Sequence, residues 1–241
     1  MSHTSPTGSV RWGIGVSRSD PPEGFRTSGS DPVGTRIVLV RHGEAHCNVV
    51  GIVGGPLGCG GLTELGQYQA RALRDRLVAS REFDDAVALY TSVLPRAVQT
   101  ASIIQAGLPA HLQAQQDCEL CELHPGEADA MTWDQVIDTF GDIDWDEDPY
   151  QPFAPGGESW MDFYERCERA IAAIVERHPG ERVILVVHGG FIEQAMKILE
   201  RKDPMVRLKL RTEHCSLTEI EFDGETRSLL RYNDRAPLAA E

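Results

Sequence analysis

Three unbroken apolar runs constrain this chain most: Ile37-Val38-Leu39-Val40, residues 86–90 and Arg182–Val187, the first two followed within about 25 residues by helix-forming sequence and the third by it directly. A strand with one wet face alternates apolar and polar residues, whereas a continuous run suits a strand covered on both faces. Alternating strands and helices supply both covers, so the expected architecture is α/β, with a mostly parallel central sheet flanked by helices.

The helical stretches carry recognisable ends. Thr63 is placed to cap a helix to about Ala79, with Leu65, Tyr68, Ala72, Leu73 and Leu77 turned inward. Ser92 is expected to cap a second helix with Pro95 in its first turn, where the missing N–H costs nothing. Trp160, Phe163, Tyr164, Cys167, Ala170, Ile171, Ile174 and Val175 recur at helical spacing until Pro179-Gly180 stops them. Residues 111–116 read as a third strand, and another helix follows Gly189-Gly190. Runs at 216–222 and 228–232 flank Asp223-Gly224 and predict a hairpin of antiparallel edge strands. Residues 117–157 hold no steady period and read as an inserted lid. The expected organisation is one domain over 36–235, with tails at 1–35 and 236–241. The first tail is rich in Gly, Ser, Pro and Thr and lacks the apolar centre of a secretory leader.

Charge narrows the partners. The formal net charge of −14 opposes both a nucleic-acid backbone and an anionic membrane surface. No run of about 18 apolar residues offers a membrane span. The six cysteines are scattered, as in a cytoplasmic protein with reduced thiols, and only Cys118 and Cys121 form a C-x-x-C pair. Oligomeric state stays open, a homodimer included.

Two strand exits share their punctuation: Val40-Arg41-His42-Gly43 and Val187-His188-Gly189-Gly190. Ligands of open α/β sheets bind beyond the carboxyl ends of the strands. A glycine there admits close approach of a bound group and leaves its N–H free to donate. One histidine at a strand end is more often structural than catalytic; two with the same punctuation reverse that expectation. Arg41 precedes the first histidine, and Arg96 lies in the opening turn of the helix after the second strand. Two guanidinium forks and two imidazoles around one point make a cage for a tetrahedral oxyanion. A histidine nucleophile works there without metal or cofactor.

Leu39-Val40-Arg41-His42-Gly43-Glu44 with Asn48 resembles the signature of the histidine phosphatase superfamily, the phosphoglycerate-mutase-like enzymes. Residues 61–67 (GLTELGQ), 92–101 (SVLPRAVQTA) and Val187-His188-Gly189 resemble its later blocks in order, and Pro155-Gly156-Gly157-Glu158-Ser159 the opening of its long helix. The likeness runs from about Arg36 to Tyr232 and implies a phosphoglycerate-mutase-like fold. It implies that His42 attacks phosphorus to give a phosphohistidine, while Arg41, Arg96 and His188 hold the phosphoryl oxygens. It assigns Glu122 the protonation of the leaving oxygen and the activation of water, with Glu127 the alternative. Gly43, Asn48 and Gly189 are expected to line the substrate site. No metal and no cofactor are expected, and the partner is a small-molecule phosphomonoester.

Rival readings fail on spacing. His42 and His46 are four apart, but a zinc-protease pair needs Glu directly after the first histidine on a continuous helix, and Gly43 stands there. Asp142, Asp144 and Asp146 open like a calcium loop, yet Glu147 stands where Gly is needed and Phe153 where the closing Glu belongs. The glycines between Gly51 and Gly61 lack the Lys-Ser/Thr of a P-loop and are expected to form a mobile rim. Cys118-x-x-Cys121 has no second cysteine pair, so neither zinc nor redox duty is read into it.

Between Ala97 and Glu165 the chain has no Lys or Arg, although that stretch contains the lid. A mutase must hold a carboxylate and a second phosphate, and unpaired anions in a closed pocket cost several kcal/mol. The lid offers Trp133, Phe140, Trp145, Tyr150, Phe153 and Trp160 instead, which suit an apolar or neutral leaving group. Phosphomonoester hydrolysis is therefore favoured over mutase-type transfer. A non-catalytic phosphate- or phosphopeptide-binding module would be favoured by loss of His42, Glu122 or an arginine, and all are present.

Overall fold

The computed structural model describes residues 34–201 and 210–235. Its strands are β1 (Thr35–Arg41), β2 (Ala86–Thr91), β3 (Ala114–Gln116), β4 (Arg182–Val187), β5 (Ser216–Asp223) and β6 (Thr226–Arg235). Its helices are α1 (His46–Val50), α2 (Glu64–Ser80), α3 (Pro95–Gln105), α4 (Trp133–Phe140), α5 (Trp160–Arg177) and α6 (Gly189–Glu200). The sheet order is β3-β2-β4-β1-β5-β6. β3, β2, β4 and β1 are parallel, and the β5–β6 hairpin joins β1 antiparallel. This is the expected α/β architecture with antiparallel edge strands.

The apolar runs do what continuous burial demands. Ile37 and Leu39 face one way, with Val183, Leu185 and Val187, into a core shared with Phe163 and Ile171 of α5 and Phe191 and Ile192 of α6. Val38 and Val40 face the other way, with Ile184 and Val186, against Ala70, Leu73 and Leu77 of α2 and Ala97, Ala101 and Ile104 of α3. Each such side chain contributes about 1.5–3 kcal/mol on burial, so this double core fixes β1 beside β4 firmly. Arg41 pairs with Val187 in that register, and the next residue of each strand is a histidine.

Several expectations need correction. On α2 the buried residues are Gly66, Ala70, Leu73 and Leu77, whereas Leu65 and Tyr68 are exposed. The inward face is rotated because Gly66 must pack against the Glu44 backbone, a contact small enough only for glycine. Ser92 is not a helix cap: Leu94 holds that position, without a side-chain bond. The third strand shrinks to Ala114–Gln116. The segment expected as a lid packs Ala128, Val136, Phe153 and Ala154 with Val53 of the glycine-rich rim in a small separate core. The glycine-rich rim is pinned, since Asp129 accepts from the N–H groups of Gly55, Leu57 and Gly58 at 2.9, 2.8 and 3.0 Å. The tails expected over 1–35 and 236–241 lie outside the described residues, except Gly34 and Thr35, where β1 begins.

Candidate active site

Adjacent strands end at the same level, so His42 and His188 meet with ring centroids 5.1 Å apart. His42 Nδ1 lies 2.7 Å from the Gly43 carbonyl. A carbonyl only accepts, so Nδ1 carries the proton and Nε2 keeps its lone pair. Arg96, the second residue of α3, lies under both rings and shares its single Nε–H between His42 Nε2 and His188 Nδ1, each at 3.2 Å. His188 then carries its proton on Nε2, which donates to Ser92 Oγ at 2.8 Å. Arg96 is anchored further by donating from Nη1 to the Gly54 carbonyl at 2.6 Å.

Arg41 donates from Nη1 to the Thr212 carbonyl, while its buried Nε has no hydrogen-bond partner among the described residues. A buried unsatisfied donor costs about 1–3 kcal/mol, more for a charged group, which an oxyanion would relieve. Burial, with Arg96 and Arg41 adding repulsion, holds His42 well below the ordinary imidazole value. Burial and the Arg96 charge do the same to His188. Both rings are thus neutral near pH 7, and His42 Nε2 presents a lone pair rather than a proton.

Arg41, His42 and Arg96 open onto a cavity of about 520 Å³ whose lining also includes Asn48, Glu122 and Gly189. His188, expected to hold a phosphoryl oxygen, is instead fully buried outside that lining, with its ring nitrogens on Arg96 and Ser92. Glu122 hangs from the turn after Cys118–Leu120, with Oε2 accepting from Gly190 N at 2.9 Å and Oε1 from Leu123 N at 3.3 Å. A Cβ on Gly190 would meet Glu122 Oε1 at 2.2 Å, so that position must be glycine for the carboxylate to reach the α6 N-terminus. Arg166 on α5 clamps this turn through the carbonyls of Glu119, Cys121 and Glu122 at 2.8, 3.0 and 3.1 Å. Asn48 sits at the rim, its Oδ1 accepting from Ala45 N at 3.1 Å. Glu127 is exposed and outside the cavity lining.

Gly43 departs from expectation. Its N–H donates to Thr100 Oγ1 at 3.0 Å, and a Cβ there would lie 2.5 Å from the Gly66 carbonyl oxygen. The glycine serves close packing of the loop on α2 and does not line the cavity.

The far wall is aromatic. Trp133, Trp145, Phe153, Trp160 and Phe163 line it, and Trp145 stacks on Trp160 at 5.5 Å. Among the described lining residues the only cationic side chains are Arg41 and Arg96. Sequence reasoning missed Ser92 as the partner of His188, Arg166 as the clamp of the Glu122 turn, and His214. The His214 ring lies 5.6 Å from that of His42, its buried Nε2 has no hydrogen-bond partner among the described residues, and burial beside Arg41 lowers it to about 4. Nothing in Thr212-Glu213-His214 marks it, because only the pairing of β5 with β1 brings it there.

Residues 37–235 match the family model described as the histidine phosphatase superfamily (branch 1). Phosphoglycerate mutase-like protein 4 of Arabidopsis thaliana is 30% identical over 212 residues, 84% of this chain and 86% of that protein. A metal-independent phosphoserine phosphatase of the same plant is 32% identical over 169 residues, 66% of each chain. Among solved structures, Bacillus stearothermophilus YhfR superposes with a TM-score of 0.70 at 32% identity, covering 83% of this chain and 97% of that one.

Proposed function

The chain belongs to the histidine phosphatase superfamily (branch 1), and from that premise we propose that it is a metal-independent phosphomonoesterase acting through a phosphohistidine on His42. The observation that carries this reading is the lone pair of His42 Nε2 beside the Arg96 guanidinium, with the unpartnered Nε of Arg41 in the same cavity. A phosphoryl group between them finds an attacking nitrogen on one side and fixed cations on its equatorial oxygens.

In the first step His42 Nε2 forms a bond to phosphorus as the bond to the leaving oxygen breaks. Glu122 hands that oxygen its proton, a contribution of roughly 10²–10⁴-fold for an alkoxide. In the second step the Glu122 carboxylate takes a proton from water as its oxygen attacks phosphorus, returning His42 and releasing phosphate. His188 stays neutral and holds Arg96 and Ser92 in place. Glu122 is favoured over Glu127 for this role because it lines the cavity, whereas Glu127 is exposed outside it.

The relatives' names include a mutase-like protein as well as a phosphatase. Hydrolysis is the better reading here, because the described lining offers no cation beyond Arg41 and Arg96 for a second anion. The aromatic wall suits a phosphomonoester whose leaving group is apolar or neutral. Assay of alkyl and aryl phosphomonoesters in excess EDTA tests the reading. Full turnover is expected; activity that vanishes and returns only with zinc or magnesium would overturn metal independence.

A further inference from the structure

We propose that Cys118, Cys121 and His124 form a binding site for a thiophilic divalent cation, zinc above all, behind the phosphoryl pocket rather than in it. The three residues lie on one tight turn, and one ligand atom from each falls within 4.8 Å of the others. Cys121 Sγ is 3.7 Å from Cys118 Sγ, and Cys118 Sγ is 3.5 Å from His124 Nε2. Tetrahedral zinc, with Zn–S near 2.3 Å and Zn–N near 2.0–2.1 Å, requires edges of about 3.8 Å between sulfurs and about 3.5 Å from sulfur to nitrogen. The turn already holds two edges of that tetrahedron.

The surroundings are those of a metal site. His124 turns Nε2 toward the sulfurs and Nδ1 toward Glu158 Oε1, 3.6 Å away. A small movement would let Nδ1–H donate to that carboxylate, the arrangement that leaves the other nitrogen free to ligate. Glu158 is itself gripped by Arg166 at 2.6 and 2.7 Å, and the same arginine holds the carbonyls of Glu119 and Cys121. The ligands therefore need little reorganisation. Both thiols are free, with Cys118 exposed and Cys121 buried. Binding forms two Zn–S bonds and one Zn–N bond, releases two thiol protons to buffer and leaves the outward fourth position to water. No redox change is involved.

The site adjoins the chemistry without entering it. Cys121 Sγ accepts from Ser92 Oγ at 3.2 Å, and Ser92 is the partner of His188. Cys121 also directly precedes Glu122. A bound cation would stiffen the turn that carries Glu122, so the protein should gain thermal stability on binding zinc while turnover at His42 proceeds without it. The C-x-x-C pair lacks a second cysteine pair in sequence; the third ligand is instead a histidine three residues on, which the turn folds back.

Metal binding, not activity, tests this, so its outcome is independent of the phosphatase reading. The full chain, reduced and stripped with EDTA, is titrated with cobalt(II) and then zinc. One cobalt per chain is expected, with the near-ultraviolet thiolate-to-cobalt charge-transfer band of a tetrahedral site, displaced by one zinc. Cys118→Ser, a change at an exposed position, should lower zinc affinity at least ~100-fold, and Glu158→Gln by ~10–100-fold. His42→Ala should bind zinc like the wild type. Absence of the charge-transfer band, an unchanged affinity in Cys118→Ser, or loss of zinc binding in His42→Ala would overturn the proposal.

Discussion

Where the cavity meets the sheet, His42, Arg96 and His188 are 3%, 4% and 0% exposed and both histidines accept from Arg96; where it meets the lid, Trp133 is 55% exposed and the lining is aromatic. The first wall is fixed by β1 lying beside β4, a register backed by two apolar cores. The second is mixed: Trp160 and Phe163 belong to the core behind the sheet, whereas Phe153 sits in the smaller core with Val53 and Val136, beside loops held by single pins such as Asp129. Under the proposed function, reaction chemistry falls on the first wall and leaving-group recognition on the second, as expected when loops carry specificity over a fixed scaffold. If so, substitutions on the sheet side should change rate for every substrate, and those on the lid side should change selection among substrates.

The largest effect is expected from His42→Ala, which should lower kcat/KM for any phosphomonoester by about 10⁴-fold or more. Activity within tenfold of wild type would break the division between the walls. Next comes Arg96→Ala, for which loss of one fixed electrostatic contact predicts about 10²–10³-fold in kcat, similar for alkyl and aryl esters. Glu122→Gln sits between the two behaviours. It should cost alkyl phosphates about 10²–10⁴-fold in kcat/KM and p-nitrophenyl phosphate far less, because a phenolate leaves without proton help. Equal losses would make Glu122 part of the cavity wall and nothing more.

Smaller effects sharpen the contrast. Trp133→Ala should raise KM for aromatic esters by a few-fold and leave kcat alone, a loss of about 0.5–1.5 kcal/mol of ring contact. A fall in kcat for all substrates would place Trp133 on the sheet wall instead. The buried histidines also make the sheet wall sensitive to acid. The unfolded chain takes up their protons near 6.5, while burial holds His42, His188 and His214 below that, His214 at about 4. Their contribution to stability is complete above about 6.5 and is lost as pH falls toward about 4, each by up to about 1.4 kcal/mol per pH unit. Denaturant melts between these values should show that slope, reduced in His214→Asn.

The sheet wall was largely legible in the sequence, because it follows from what buried parallel strands demand. Apolar runs fix the strands, their carboxyl ends fix where His42 and His188 fall, and Arg96 follows from a helix start that Pro95 marks. Glu122 was reached only through resemblance, since no local pattern places a turn residue over the N-terminus of α6. What escaped depends on contacts between distant segments. Ser92 reads as a cap until β4 brings His188 to it, and His214 reads as loop until β5 pairs with β1. Gly43 was misread because its partner, Thr100, lies on another helix.

The central claim is that His42 becomes phosphorylated. Rapid denaturing quench of the enzyme with a ³²P-labelled phosphomonoester in EDTA, followed by peptide mapping, measures it directly. The account predicts label on the peptide containing His42, stable to base and lost in acid, and absent from His42→Ala. Turnover with no such label, or label that persists in the variant, would contradict it.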